Sequence, residues 1–286
     1  MVILRNSFTI SKNDYKGNGV YIKKFKDKQT FNSKTNKVSI ESLLMYNSFF
    51  NITKDYSNNW LKYTWINGET MDIFLDDGYY DTEYFDYSIK QKLIEKGWYW
   101  LNKDGSTYNF CHKFETIVNL YTTRISCFYF PDATLFAQNE FKVPDGATWT
   151  VPTEKKHIQI ELKNNLINFF GQTSYLFPPT QDLTKTTNVY YDSTIVPELL
   201  IVDSVNVCCN LIDSPYNIEK DFMTQIRINN GFGEMVEYKN GIEQKYSTIN
   251  GQLNEVIIRI VDDAFLPIKL KDPQMTVNLI IESEMP

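Results

Sequence analysis

The sequence predicts an all-β protein, and three observations carry that prediction. Aromatic residues make up 15% of the chain, mostly Tyr and Phe, and these side chains favour pleated, half-buried surfaces. Short apolar segments recur along the chain between clusters of Asn, Asp, Ser, Gly and Pro, the usual turn formers. The last segment alternates with the period of two of a half-buried strand. One face carries Met275, Val277, Leu279 and Ile281, and the other carries Thr276, Asn278 and Glu282.

The head of the chain is basic, whereas the remainder is acidic. Residues 1–37 hold nine Lys or Arg against two Asp, a net charge of +7, which leaves −13 for the rest of the chain. Such an asymmetry favours an N-terminal arm over residues 1–35 that contacts nucleic acid or an acidic neighbour. A solvated flexible tail is the alternative, although residues such as Phe8, Ile10, Tyr21 and Phe25 make the segment too apolar for a purely disordered leader.

From residue 36 onward the pattern predicts short strands, the first at residues 38–48, 60–66 and 70–75. A turn at Asp76, Asp77 and Gly78 then leads into one predicted helix. Thr82 can cap its N-terminus, and Glu83 suits the positive end of the helix dipole. The helix has one apolar stripe and ends at a glycine suited to the left-handed position after a helix. These residues are Phe85, Ile89 and Leu93 for the stripe, and Gly97 for the end.

Beyond the helix, further strands bring the expected total to roughly ten to twelve, and no repeat of 20 to 50 residues indicates a propeller or solenoid. Residues 131–156 and 171–195 are rich in Pro, Thr and Asp and are predicted to be long loops, which usually contact partners or ligands. Two further strands are expected before the terminal one, separated by turns at Asp262–Asp263 and Asp272–Pro273.

The composition places limits on the protein's surroundings. No apolar run reaches the length of a membrane span and no signal peptide is visible, so synthesis in the cytosol is expected. The cysteines, Cys111, Cys127, Cys208 and Cys209, have no framework spacing and are expected to be reduced.

Few residues suggest chemistry. His112 and His157 are the only histidines, and neither has a partner at metal-ligand spacing. No glycine-rich nucleotide loop and no nucleophile elbow occurs, so no catalytic, cofactor or metal residue is predicted. Asp76, Asp77 and Asp81 could bind calcium or act on a glycan, but a turn that starts the helix explains them better.

The Trp and Tyr residues between 98 and 108 could stack on sugars or bases, but such residues more often cover a core edge or fill an interface.

Two segments of the chain resemble one family. They are the strand, turn and helix of "TWINGETMDIFLDDGYYDTEYFDYSIKQKLIEKGWYW" and the ending "IRIVDDAFLPIKLKDPQMTVNLIIE", with "GATWTVP" between them. The chain resembles the penton, or minor capsid, proteins of virophages, polinton-like viruses and Polintons. The residues that match the two blocks are Asp77, Gly78, Tyr80, Thr82 and Phe85, and then Asp262, Pro267, Ile268, Leu270, Asp272 and Pro273. Asp76 stands where a Pro is common, and Asp263 where a Gln is common.

The resemblance implies a jelly-roll β-sandwich over residues 36–286, with a possible outward-facing insertion within about 131–195. It implies a structural capsid protein of the virion that forms a homopentamer at icosahedral vertices and contacts the major capsid protein. The basic arm would then contact the genome or inner capsid components. No enzyme activity, cofactor or small-molecule substrate is implied.

Two rival functions remain open from the residues alone. One is a β-sandwich lectin that uses the aromatic residues around 98–108, and the other is a carbohydrate-active enzyme with paired acids.

Overall fold

Antiparallel strands account for most of the regular structure in this computed structural model, which describes residues 2–117, 122–199, 202–214, 219–240 and 244–285. The first strands are β1 (Val2–Ser11), β2 (Tyr15–Gly17), β3 (Val20–Phe31), β4 (Asn36–Tyr46), β5 (Trp60–Thr64), β6 (Thr70–Phe74), β7 (Trp100–Leu101), β8 (Tyr108–Asn109), β9 (His112–Ile117) and β10 (Thr122–Cys127). The others are β11 (Gln159–Leu162), β12 (Leu176–Phe177), β13 (Val189–Asp192), β14 (Ser204–Cys209), β15 (Phe222–Arg227), β16 (Met235–Lys239), β17 (Tyr246–Ser247), β18 (Gly251–Val261) and β19 (Met275–Met285).

Helices are few. They are α1 (Thr82–Lys96), α2 (Ala133–Gln138) and α3 (Leu166–Phe169), with short 3-10 helices at Lys12–Asp14 and Thr180–Asp182. No helix among the described residues is long and apolar enough to cross a membrane. The chain divides into unit 1, residues 1–50 and 202–286, and unit 2, residues 51–201.

Unit 1 is a jelly roll. One sheet has the order β1-β19-β4-β16, with β17 beside β4, and the other has the order β15-β14-β18-β3-β2. When the short β2 and β17 are set aside, eight long strands remain. The first sheet then contains the first, eighth, third and sixth of them, and the second contains the second, seventh, fourth and fifth. This arrangement is a jelly roll of two interleaved sheets, so the predicted all-β jelly-roll class is confirmed.

The core of unit 1 lies between the two sheets and explains the alternation of the terminal strand. Val277 and Leu279 of β19 are fully buried, as are Val256 and Ile258 of β18. Leu279 lies opposite Phe8 of β1 on one side. Because apolar residues repeat every second position in both strands, each sheet offers one apolar face, and burying the two faces together drives the packing.

The expected N-terminal arm over residues 1–35 is not what the structure shows, because these residues form strands of both sheets. β1 pairs with β19 along its whole length, and β3 pairs with β18. Ile10 and Tyr21 are fully buried, and the rings of Phe8 and Phe25 lie 5.3 Å apart. The charge count was misleading because Lys24, Lys26 and Lys28 occupy exposed positions of β3, whereas Tyr21 and Phe31 of the same strand are buried in the core.

Unit 2 lies in the sequence between β4 and β14, the third and fourth long strands of the jelly roll. It contains sheets of order β12-β11-β5-β6 and β13-β10-β9, the pair β7-β8, and all three α-helices. The expected insertion at 131–195 lies inside unit 2, whose first residue is 80 positions earlier, at 51. The strands at residues 60–75 and α1 belong to this unit and not to the jelly roll, because they pack on its aromatic core.

Candidate interaction surfaces

Helix α1 is held at both ends by capping groups. Asp81 is the N-cap, since its Oδ1 accepts a hydrogen bond of 2.6 Å from the backbone N–H of Tyr84. Thr82, the expected cap, is the first helical residue, and its hydroxyl lies 2.9 Å from that of Thr116. Gly97 ends the helix with a left-handed φ of 75°, as predicted. The apolar stripe of the helix is fully buried in unit 2.

The aspartates before α1 serve the turn and the helix. Asp77 accepts a hydrogen bond of 2.8 Å from the backbone N–H of Lys54, and Asp81 caps α1. The carbonyl of Asp76 accepts one of 3.0 Å from the hydroxyl of Tyr80. Within the described ranges no group of three His, Cys, Asp or Glu side chains could hold a metal ion. These contacts place the three aspartates in the predicted turn and at the start of α1.

His112 lies at the centre of a buried polar group. Its Nδ1 is 3.1 Å from the hydroxyl of Tyr63, and its Nε2 is 3.7 Å from Oδ1 of Asp86, beyond hydrogen-bonding distance. Asp86 accepts a hydrogen bond from the backbone N–H of Phe114 at 2.8 Å and pairs with Lys90 at 2.5 Å. Burial lowers the pKa of His112 to about 4, so the ring is neutral at pH 7. The side chain of His112 is 0% exposed, and the hydrogen bond from Phe114 of β9 to Asp86 of α1 joins the strand to the helix.

His157 and the four cysteines are also buried. The Nε2 of His157 is 3.1 Å from the carbonyl of Thr187, at the wall of a polar cleft of about 710 Å³. Burial lowers the pKa of His157. All four cysteines are free thiols and buried, and burial raises the pKa of Cys208 and of Cys209 to about 12. Low nucleophilicity follows, because the thiolate is the reactive form.

The aromatic residues between 98 and 108 are mostly core. Trp98 is fully buried and stacks on Trp65 with ring centroids 5.9 Å apart, and Trp100 contacts Phe130 at 4.8 Å. Tyr108 is exposed at the edge. The interpretation of this cluster as the edge of a core is therefore supported over a sugar-stacking platform.

Unit 2 nevertheless presents aromatic residues to solvent at other places. In the described part of the chain all exposed Phe and Tyr side chains lie in this unit, and they are Phe74, Tyr84, Tyr87, Tyr108, Tyr175 and Tyr190. Phe74 is 59% exposed and stacks on Trp60, with the two ring centroids 5.4 Å apart. The Nζ of Lys163 lies 5.5 Å from the centroid of the Trp60 ring. Sequence reasoning missed this pair, although both residues fall on the polar side of two alternating strands.

One side of the jelly roll in unit 1 is formed by β1 and β3. β1 is an edge strand of ten residues, and its Ile3 and Leu4 are 49% and 46% exposed. The Nζ of Lys23 in β3 lies 5.2 Å from the Phe8 ring of β1, which joins the two sheet edges. An open edge with exposed apolar residues is a ready template for another chain.

Glu282 is a buried acidic residue on the outer face of β19. It lies on the expected outer face of β19 but is buried, because Nε of Arg5 and Nζ of Lys245 each approach it to 2.7 Å. Hydrogen bonds from Lys245 and Arg5 lower the pKa of its carboxyl.

Similarity to known proteins is found in structure and not in sequence. No protein-family model and no curated protein matches the chain. Among solved structures, a crystal structure of the mavirus penton protein has a TM-score of 0.45 and 12% sequence identity, and covers 99% of each chain. A chain from the cryo-EM structure of the Sputnik virophage has a TM-score of 0.40 and 11% identity, and covers 98% of this chain and 97% of its own.

Proposed function

We propose that this chain is a structural capsid protein of a virion, a penton that forms homopentamers at icosahedral vertices and contacts the major capsid protein. The observation that carries the proposal is the strand order of unit 1, a complete jelly roll of eight long strands interrupted by one inserted unit. Jelly rolls of two Greek keys build capsid shells as well as lectins and cupins. The two sequence blocks that resemble virophage pentons favour the capsid function among these.

The surface of unit 1 supports assembly. Among the described strands β1 is an edge strand of ten residues, and its Ile3 and Leu4 are each about half exposed. Soluble monomers usually protect such an edge. In a ring, one patch meets a different patch on the next copy, so a single open edge can be used by every subunit without a two-fold axis.

A second candidate function, glycan binding, has one specific observation in its favour. The stacked pair of Trp60 and Phe74, with Lys163 beside it, is an exposed aromatic platform. Aromatic faces of this kind also serve as anchors in protein interfaces, where Trp and Tyr are enriched. Specific signals on a glycan array, lost in Trp60→Ala, would favour a lectin, and a silent array would favour the capsid function.

The remaining parts of the proposal concern the particle. Unit 2 would face outward from the shell, and the protein would be made in the cytoplasm of an infected host and then enter the virion. It would need no cofactor and act on no small-molecule substrate. Proteolysis of intact particles tests the orientation, because an outward-facing unit 2 should be cut before unit 1.

Native mass spectrometry at micromolar concentration tests the oligomer. The expected species has five times the mass of the 33.6 kDa chain. Ile3→Lys with Leu4→Lys should reduce it to monomer while far-UV circular dichroism is unchanged, because both side chains are exposed in the single chain. Val143→Lys with Val196→Lys adds the same charge at exposed positions of unit 2 and serves as the control. A tight dimer that persists on dilution would contradict the penton assignment.

A further inference from the structure

The exposed face of β3 carries a row of lysines. Lys24, Lys26 and Lys28 are all exposed and occupy alternate positions, so they project from the same face of the strand. Lys34 is also exposed, in the loop that joins β3 to β4. In the described part of the chain, none of the four makes an ion pair. Other exposed lysines differ, since Lys103, for example, pairs with Glu140 at 2.5 Å.

The row lies along a sheet edge. The short strand β2 pairs only with the first two residues of β3, so among the described strands β3 has β18 as its one neighbour beyond Tyr21. Opposite Lys24 lies Glu255, but the register between β3 and β18 then shifts, and Lys26 and Lys28 have no residue of β18 in register. Lys24, Lys26 and Lys28 therefore present three positive charges, spaced about 7 Å apart along an extended backbone.

This spacing and charge suit a chain of phosphates. A flexible nucleic-acid strand offers a regular row of single negative charges, and proteins that bind such strands without sequence preference follow the backbone with a positive groove. The pattern fits a lipid surface less well. Membrane-bound segments insert large apolar residues beside their basic ones, whereas Phe25 turns away from the lysines and packs on Phe8 and Phe31.

The strand pairing also shows toward which end of unit 1 the lysine row extends. The first residue of β3, Val20, pairs with Arg259 of β18, close to where Val261 of β18 pairs with Asn206 of β14, the strand that follows unit 2 in the sequence. From there β3 runs toward the opposite end of the sandwich. Lys28 and Lys34 therefore lie toward the end of unit 1 that is remote from Phe50 and Val202, the two residues that flank the inserted unit.

We propose that Lys24, Lys26, Lys28 and Lys34 form a binding surface for the phosphate backbone of nucleic acid, which this chain contacts without reading the base sequence. The proposal deepens the proposed function and rests on it, since a capsid protein works beside a packaged genome. It replaces the flexible basic arm with a fixed, strand-borne row of charges.

Fluorescence anisotropy of the full chain with a labelled 30-nucleotide single-stranded DNA tests the proposal. Four phosphate contacts predict a slope of log Kd against log salt of about 3, or about 50-fold weaker binding at 200 mM than at 50 mM salt. The β3 variant combines Lys24→Gln, Lys26→Gln and Lys28→Gln. Its slope should fall to about 0.7, because one phosphate contact remains. Changing the base sequence of the DNA should alter the affinity by less than about threefold, since phosphates carry no sequence information.

The matched control removes three ion-paired lysines, Lys92, Lys103 and Lys239, also by change to Gln. It alters the net charge by the same amount and should leave the slope unchanged. An equal loss in both variants would overturn the proposal, because net charge alone would then explain binding. If the lysines only guard the sheet edge, the wild-type chain binds no DNA and the β3 variant self-associates, which also overturns it.

Two further measurements separate other partners and the proposed function. Cosedimentation with phosphatidylserine vesicles, lost in the β3 variant, together with no DNA binding, would assign the row to a membrane and sink the nucleic-acid proposal. Native mass spectrometry of the β3 variant should still show the pentamer. DNA binding without any pentamer would contradict the penton assignment while leaving this surface intact, and a pentamer that binds no DNA would do the reverse.

Discussion

The closing strand β19 provides the sharpest test of the fold, through a pair of neighbouring residues on opposite faces. Leu279 is fully buried between the sheets, opposite Phe8 of β1 and Ile40 of β4. Removing most of a fully buried leucine side chain costs both its transfer free energy and the cavity left behind. Leu279→Ala should therefore lower the free energy of unfolding by about 3 kcal/mol.

Leu279→Asp should be more damaging than Leu279→Ala. The substitution loses the same apolar contacts and also places a carboxyl group where no described partner is available, so the total loss should exceed about 4 kcal/mol. That amount is comparable with the whole stability of many domains. We expect unit 1 of this variant to be largely unfolded at 25 °C.

Asn278→Asp is the matched control on the outer face. The Oδ1 of Asn278 accepts a hydrogen bond of 2.8 Å from Thr9, and its Nδ2 donates one of 3.0 Å to the hydroxyl of Ser42. An aspartate keeps the first bond and can accept from Ser42 instead of donating. The change should therefore stay within about 1 kcal/mol.

Urea unfolding measured by two probes separates the units. All five tryptophans, at positions 60, 65, 98, 100 and 149, lie in unit 2, so their fluorescence reports that unit. Far-UV circular dichroism reports both units, and the part of its transition not matched by fluorescence belongs to unit 1. Equal destabilisation by Leu279→Asp and Asn278→Asp would refute the assigned faces of β19, as would a shift confined to the tryptophan signal.

Three other outcomes are expected. Asp81→Ala should destabilise unit 2 by about 1 kcal/mol through loss of the α1 cap, with Asp81→Asn nearly neutral, as measured by tryptophan fluorescence in urea. His112 binds its proton less readily in the folded state, where its pKa is about 4, than in the unfolded state. The contribution of His112 to the free energy of unfolding should therefore be fully present above pH 6.5 and fall by about 3 kcal/mol toward pH 4. His112→Asn should flatten this part of the pH profile of stability. An unchanged profile would contradict the assignment. Deletion of residues 1–30 should prevent unit 1 from folding, because β1 and most of β3 are lost; a truncated chain with a native dichroism spectrum would contradict their place in the core.

The sequence alone determined the features that depend on neighbouring residues. The alternation of Met275, Val277 and Leu279 marks a half-buried strand wherever its partner is, because side-chain direction in a strand repeats every two residues. The stripe of Phe85, Ile89 and Leu93 and the terminal Gly97 marked α1 in the same way. The local rules were accurate to one residue at the cap, where Asp81 acts in place of Thr82.

Only the tertiary structure decided what the first 35 residues do. Their charge indicated an arm, yet β1 pairs with β19, and Arg5 reaches Glu282, which is 277 positions away in the sequence. No local pattern identifies such a partner, because pairing depends on which apolar faces are buried together when both sheets form. The same long-range packing placed unit 2 between β4 and β14 and buried Trp98 in its core, while it left Phe74 exposed. Hydrophobic residues of similar local pattern thus became core or surface according to the elements that cover them.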